Sequence, residues 1–181
     1  MGKEKIKAIV FLADVDKRSV SRLIKEVKAS RGYKILLLIS STHGDFDESV
    51  RGFRELRKFA KRLTTYNVGL LDTVSGIIYL SADTRLVAPH SEFLFKEIKH
   101  TYEKYGEYPP KDILEYYKLL VEANRNSRKI FSSRTRQSNS KLYNLQHNET
   151  TLSALDMVKL NIAHRVESIN ISSNTKIITI S

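Results

Sequence analysis

Short apolar runs alternate with longer amphipathic stretches through the first half of the chain. Ile6–Ala13 (IKAIVFLA) is compact and β-rich, which predicts a strand. Val20, Leu23, Ile24 and Val27 then recur at helical spacing, with Ser19 as the expected cap and Arg31-Gly32 as the stop. Tyr33–Ile39 is apolar apart from Lys34, with Ile35–Ile39 unbroken, the mark of a strand buried on both faces. A loop over Ser40–Asp45 contains Gly44. Glu48–Leu63 places Val50, Phe53, Leu56, Phe59 and Ala60 on one helical face and basic residues on the other. Tyr66–Leu71 predicts a strand. Thr73–Ala82, small at its start and apolar after, predicts a buried helix entered at a tight turn.

The second half is less regular. Arg85–Ala88 predicts a short strand before Pro89. Glu92–Ile98 alternates, with Phe93 and Phe95 on one side and Leu94 and Lys96 on the other. Pro109-Pro110 opens a long helix expected to run to about Arg136, because proline is tolerated in a first turn. The polar stretch Ser138–Ser140 is expected to break the pattern. A last helix over Ala154–Leu160 is followed by Asn161, a residue suited to positive φ beyond a helix end. A strand within Ile162–Ile169 and an edge or frayed strand at Thr175–Ile180 complete the reading. This order predicts an α/β fold with a mostly parallel sheet in one domain over residues 1–181.

The chain has 181 residues and no cysteine, which excludes a disulfide framework and thiolate metal sites. No apolar run reaches the roughly 18 residues a membrane-spanning helix needs. The basic start at Met1–Lys5 runs into Asp14 and Asp16 with no small-residue cleavage pattern, so no signal peptide is read and a cytoplasmic location is expected. The net charge is +11. Between Glu122 and Glu149 no acidic residue occurs, while Arg125, Arg128, Lys129, Arg134, Arg136 and Lys141 do. This segment reads as a solvated helix face with a mobile loop, as a protein contact, or as a nucleic-acid surface. No aromatic stacking pattern accompanies it. His43, His90, His100, His147 and His164 show no metal-ligand spacing, and no phosphate-binding glycine motif is present. No metal or cofactor is expected, and any ATP-driven motor would be a separate protein.

Four ordered segments carry a resemblance. Ile39–Asp45 (ISSTHGD), a buried strand running into a glycine loop, resembles the Asn-Ser-Pro-Gly-Gly segment of Clp proteolytic subunits and signal peptide peptidases. Asp72–Ala82 is similar to the turn that sets their nucleophilic serine at a helix start. Arg85–Lys96 is similar to the strand, proline and strand that deliver their histidine. Leu152–Ile169 (LSALDMVKLNIAHRVESI) resembles the segment in which their chain returns after a long helix. The set resembles the Clp protease/crotonase superfamily, and its length and single long helix favour the Clp branch.

The resemblance implies a ββα-repeat core, a long helix at about 110–136 and a C-terminal helix-strand return. It also implies departures. Val74 falls at the serine position and Lys96 at the histidine position. Glu149 lies near the family's acidic residue. In the oxyanion loop His43 replaces a glycine, Gly44 is kept, and the Ser75 N–H falls where the family has a donor. Three readings remain open. One is a non-hydrolytic regulatory or structural subunit. Another is a hydrolase using Ser75 with Lys96 or His43. The last is a basic binding module. A crotonase-type acyl-CoA site has no particular feature in its support. By the same resemblance the chain is expected to form a homo-oligomer, or a hetero-oligomer with a peptidase paralogue. An apolar seam at Tyr116, Tyr117, Leu119, Leu120 and Val121 would mediate that assembly, and a separate ATPase is a possible partner.

Overall fold

The computed structural model describes residues 5–99, 107–173 and 175–181; Met1–Glu4 and His100 lie outside these. The first crossover joins strand β1 (Ile6–Phe11) to helix α1 (Lys17–Ala29) and strand β2 (Lys34–Ser41). The two strands pair in parallel from Ile6↔Lys34 to Phe11↔Ile39. Asp16, not Ser19, caps α1. Asp16 is extended and accepts the Ser19 N–H at 2.7 Å, while the Ser19 hydroxyl accepts the Asp16 N–H at 3.1 Å. An acid and a hydroxyl three residues apart thus satisfy each other's otherwise unpaired amides. At the other end, Gly32 takes φ +77°, and the Arg62 guanidinium donates to the carbonyls of Val27, Ser30 and Tyr33.

Helix α2 (Phe46–Arg57) starts two residues earlier than the periodicity predicts, because Asp45 caps it through the Glu48 N–H. It also stops earlier, giving way to a 3-10 turn at Ala60–Arg62. Strand β3 (Leu63–Asp72) is correspondingly longer than Tyr66–Leu71. Its two added threonines differ in environment; Thr65 is fully buried and its hydroxyl donates to the Tyr79 carbonyl at 2.8 Å.

One edge of β3 serves two successive strands. Thr64–Asn67 pairs with β4 (Thr84–Val87), and Leu70–Asp72 pairs with β5 (Glu92–Phe95). Asn67 sits at the divide. Its amide donates to the Glu92 carbonyl at 3.0 Å, and its carbonyl oxygen accepts the Gly69 N–H at 3.1 Å. This handover from β4 to β5 sets the end of β5 beside the start of helix α3 (Thr73–Tyr79).

The long helix α4 spans Pro110–Thr135 and ends at Arg136 with φ 62°. The break expected at Ser138–Ser140 is present but short, lying between Thr135 and Asn139. Ser138 caps a further helix, α5 (Asn139–His147), so the mobile-loop reading of this segment does not hold. Strand β6 (Thr150–Ser153) then pairs antiparallel with β5, ahead of helix α6 (Ala154–Lys159). Asn161 has φ 55°, as expected for its place. Within Ile162–Ile169 only β7 (Arg165–Val166) is a strand, paired with β4. The tail does not fray: β8 (Lys176–Ile180) lies parallel to β1. The strand order is β6-β5-β3-β2-β1-β8, with β4 beside β3 and β7 beside β4.

The main core forms where α1, α2 and α3 cover one sheet face, while the alternate strand positions Ala8, Leu38, Tyr66 and Leu86 make a smaller cluster on the other. Phe93, Phe95 and Phe131 pack ring to ring at 4.8–5.7 Å between centroids, tying β5 to α4. Gly76 makes this possible: a Cβ there would lie 2.4 Å from Phe93 Cε2. Among the described residues, Arg85, 2% exposed, faces no carboxylate at hydrogen-bonding distance. It donates instead to the carbonyls of Ala82, Arg134, Asn161 and Ile162, near the ends of α3, α4 and α6. Burial lowers its pKa to about 10.

Candidate active-site cleft

Three segments converge on a cleft of about 530 Å³: the loop after β2, the start of α3 and the end of β5. Thr42, His43, Gly44, Asp72, Val74, Lys96 and Glu149 are among its lining residues. The loop is shaped by Gly44, which has φ +150° and whose absent Cβ would fall 2.4 Å from Val15 Cβ. A side chain there would drive the loop off β1's continuation. The backbone is held by Val15 N–H donating to His43 O at 2.9 Å and Asp45 N–H donating to Val15 O at 2.7 Å. His43 takes no positive φ, so the loop admits a non-glycine residue at that point.

Asp72, 1% exposed, is the residue that pattern reading missed. It caps α3: its Oδ1 accepts the Ser75 N–H at 2.9 Å. Its Oδ2 lies 3.2 Å from Lys96 Nζ, and Lys96 Nζ also donates to Thr42 O at 3.1 Å. One lysine therefore ties the loop after β2 to the start of α3. The end of β5 is fixed by Thr73, whose hydroxyl accepts the Lys96 N–H at 2.9 Å and donates to Lys96 O at 2.6 Å. The pairing of Asp72 with Leu94 across β3 and β5 sets Lys96 within reach of the carboxylate.

The sequence-derived candidates separate into two groups. Val74, Lys96, His43, Gly44 and Glu149 all line the cleft. Ser75 does not share their position. It is fully buried, and its hydroxyl donates to Ser41 O at 2.6 Å and accepts the Asp72 N–H at 3.0 Å. The His43 ring is exposed and its Nδ1 is hydrogen-bonded to the Thr42 hydroxyl at 3.0 Å. Glu149 is exposed, has φ 46° and pairs with Lys99; that hydrogen bond lowers its pKa and raises that of Lys99.

With this geometry in place, the comparison with known families is decisive: the family described as Clp protease matches residues 5–169. The chain belongs to the Clp protease family. Among curated proteins, none matches it.

In this Clp protease family chain several basic residues of α4 are engaged within the fold. Arg134 donates to Leu80 O at 3.0 Å and Ala82 O at 2.8 Å, closing the end of α3. Arg128 bridges to Gln146 at 2.8 Å and lies over the Tyr143 ring, joining α4 to α5. Arg125 pairs with Glu122, Lys129 donates to Asn126, and Arg136 is exposed at the helix end. The run therefore divides between internal bracing and solvent, and does not form one uniform surface. His164 is structural as well: its Nδ1 accepts the Arg85 N–H at 3.1 Å, and burial lowers its pKa. Among the described residues, no group of three or more His, Cys, Asp or Glu is placed to hold a metal, and no helix is long and apolar enough to cross a membrane.

Proposed function

We propose that this single-domain Clp family chain is a non-hydrolytic subunit that keeps the fold and gives up peptide cleavage. The observation that carries this reading is the state of Ser75, the hydroxyl next to the family's serine position; the other cleft hydroxyls, Thr42 and Thr73, are hydrogen-bonded to His43 and to the Lys96 backbone. Ser75 is buried against Ser41 O, while Val74, with no nucleophilic atom, is the neighbour that lines the cleft. Acyl transfer needs a nucleophile, a free base and amide donors aimed at the developing oxyanion. Here the Ser75 amide is taken by Asp72 Oδ1. The cation at the histidine position is engaged by Asp72 Oδ2 and Thr42 O. A carboxylate beside the donors also opposes a second negative charge.

The test is labelling of the purified chain with a fluorophosphonate probe, alongside hydrolysis of model peptides. No labelling and no turnover are expected. Labelling that disappears in Ser75→Ala would establish the hydrolase reading instead.

Assembly belongs to the same proposal. The first half of α4 exposes Ile113, Leu114, Tyr117, Leu119 and Val121, with Leu119 at 65%. These apolar side chains, spread around the helix, extend the seam expected from the family resemblance, and self-association or pairing with an active paralogue would cover them. Light scattering is expected to give an oligomer, alone or mixed with such a paralogue, that Leu119→Glu weakens. A strict monomer under both conditions would refute the assembly.

A further inference from the structure

Away from the cleft, an open groove of about 660 Å³ runs between α2 and the C-terminal half of α4. Its floor is apolar and partly buried, made by Phe46 and Val50 from α2 and Ile130 from α4. Arg54 and Lys129 stand exposed on its rim. The acids nearby are Asp47 and Glu55. Glu55 is held between Lys58 and Lys28, whose hydrogen bonds lower its pKa to about 2, so it adds little net negative field. Arg51, also lining the groove, is engaged by Glu48. In the lining itself the basic residues Arg51, Arg54 and Lys129 outnumber the acids Asp47 and Glu55 by three to two.

We propose that this groove docks a short acidic segment of a partner protein. The apolar side chains of the segment rest on Phe46, Val50 and Ile130, and its carboxylates meet Arg54 and Lys129. Charge complementarity selects an anionic partner. The floor selects a peptide over nucleic acid. The one aromatic ring lining the groove, Phe46, is partly buried and offers no open platform for stacking bases. The site is separate from the cleft and does not depend on whether the cleft is inert.

The test uses the full chain and a fluorescent peptide of alternating glutamate and leucine, read by anisotropy. Controls are a glutamate-only peptide and a labelled single-stranded DNA. Arg54→Glu and Lys129→Glu should each weaken the glutamate-leucine peptide by about tenfold or more, because each replaces an attraction with like-charge repulsion. Lys176→Glu, on the distant strand β8, should leave binding unchanged. Both groove positions are exposed, and circular dichroism verifies that the variants fold. The inference is overturned by absence of binding, by preference for the DNA, by equal binding of the glutamate-only peptide, or by an equal loss in Lys176→Glu.

Discussion

Replacing Lys96 with methionine removes the cation from the cleft while nearly preserving side-chain length. Asp72 then remains as a carboxylate whose side chain is 2% exposed, keeping the Ser75 amide but losing its counter-charge at 3.2 Å. At that separation the gross attraction is about 5 kcal/mol for an effective dielectric constant near 20. Much of this is offset by desolvation of the two groups. Because Lys96 is 29% exposed, its own desolvation is incomplete and the pair is worth less than a fully buried one. The expected cost of Lys96→Met is therefore ~2 kcal/mol, or a fall of about 4–8 °C in Tm for a chain of this size. Asp72→Asn keeps an N-cap acceptor and should cost ~1 kcal/mol. The double variant should cost less than the sum of the two by ~1 kcal/mol, since the buried charge has gone with its partner. The chain has no tryptophan, so urea unfolding is followed by far-ultraviolet circular dichroism. Strict additivity, or a Lys96→Met variant as stable as the parent, would refute the claim that this pair braces the cleft.

Gly76→Ala should destabilise by ~2 kcal/mol or more in the same assay, because the new methyl collides with Phe93 and Phe131. Val74→Ser alone should remain unreactive toward a fluorophosphonate probe, since the Ser75 amide and Lys96 stay committed to Asp72; rapid labelling would show that these contacts yield easily. Acid titration should loosen the Lys28–Glu55–Lys58 bridge between α1 and α2. Glu55 has a folded pKa depressed from 4.5 to about 2, so its contribution is complete above pH 4.5 and is lost as pH falls toward 2. A Glu55→Gln variant should accordingly lose less stability than the parent across that window, and an identical acid profile in the two proteins would contradict the assignment.

The parts of the fold legible in the sequence were those in which one force dominates. Continuous apolar runs gave the buried parallel strands β1 and β2, and alternation at Glu92–Ile98 put Phe93 and Phe95 inside. Asn161 was legible because positive φ after a helix admits few residues. Helix α5 was not. Only Leu142 and Gln146 of its residues are buried, so little apolar periodicity marks it, and its polar start, which resembles a loop, is a cap. The missed residue Asp72 had a signal: an acid and a hydroxyl three apart at a strand-to-helix junction, the spacing of Asp16 and Ser19 and, reversed, of Ser153 and Asp156. That spacing predicts a cap. It does not predict that the second carboxylate oxygen meets Lys96, which depends on how β3 pairs with β5. Val74 could be placed in the cleft from the Gly76 register, and a helical step of roughly 100° turns Ser75 away from it; what the sequence did not show is the acceptor Ser75 meets, Ser41 O, 34 residues upstream.

Arg85 makes one guanidinium the common terminus of several otherwise separate segments. If the fork withdrew, the carbonyls of Arg134, Asn161 and Ile162 would lose their guanidinium donor and Ala82 O would keep only Arg134, from the end of the same long helix, so the end of that helix, the turn after α3 and the returning chain at Asn161-Ile162 can lose order only as a group. Amide hydrogens across those three places should consequently exchange with solvent at one shared rate, set by a single opening event.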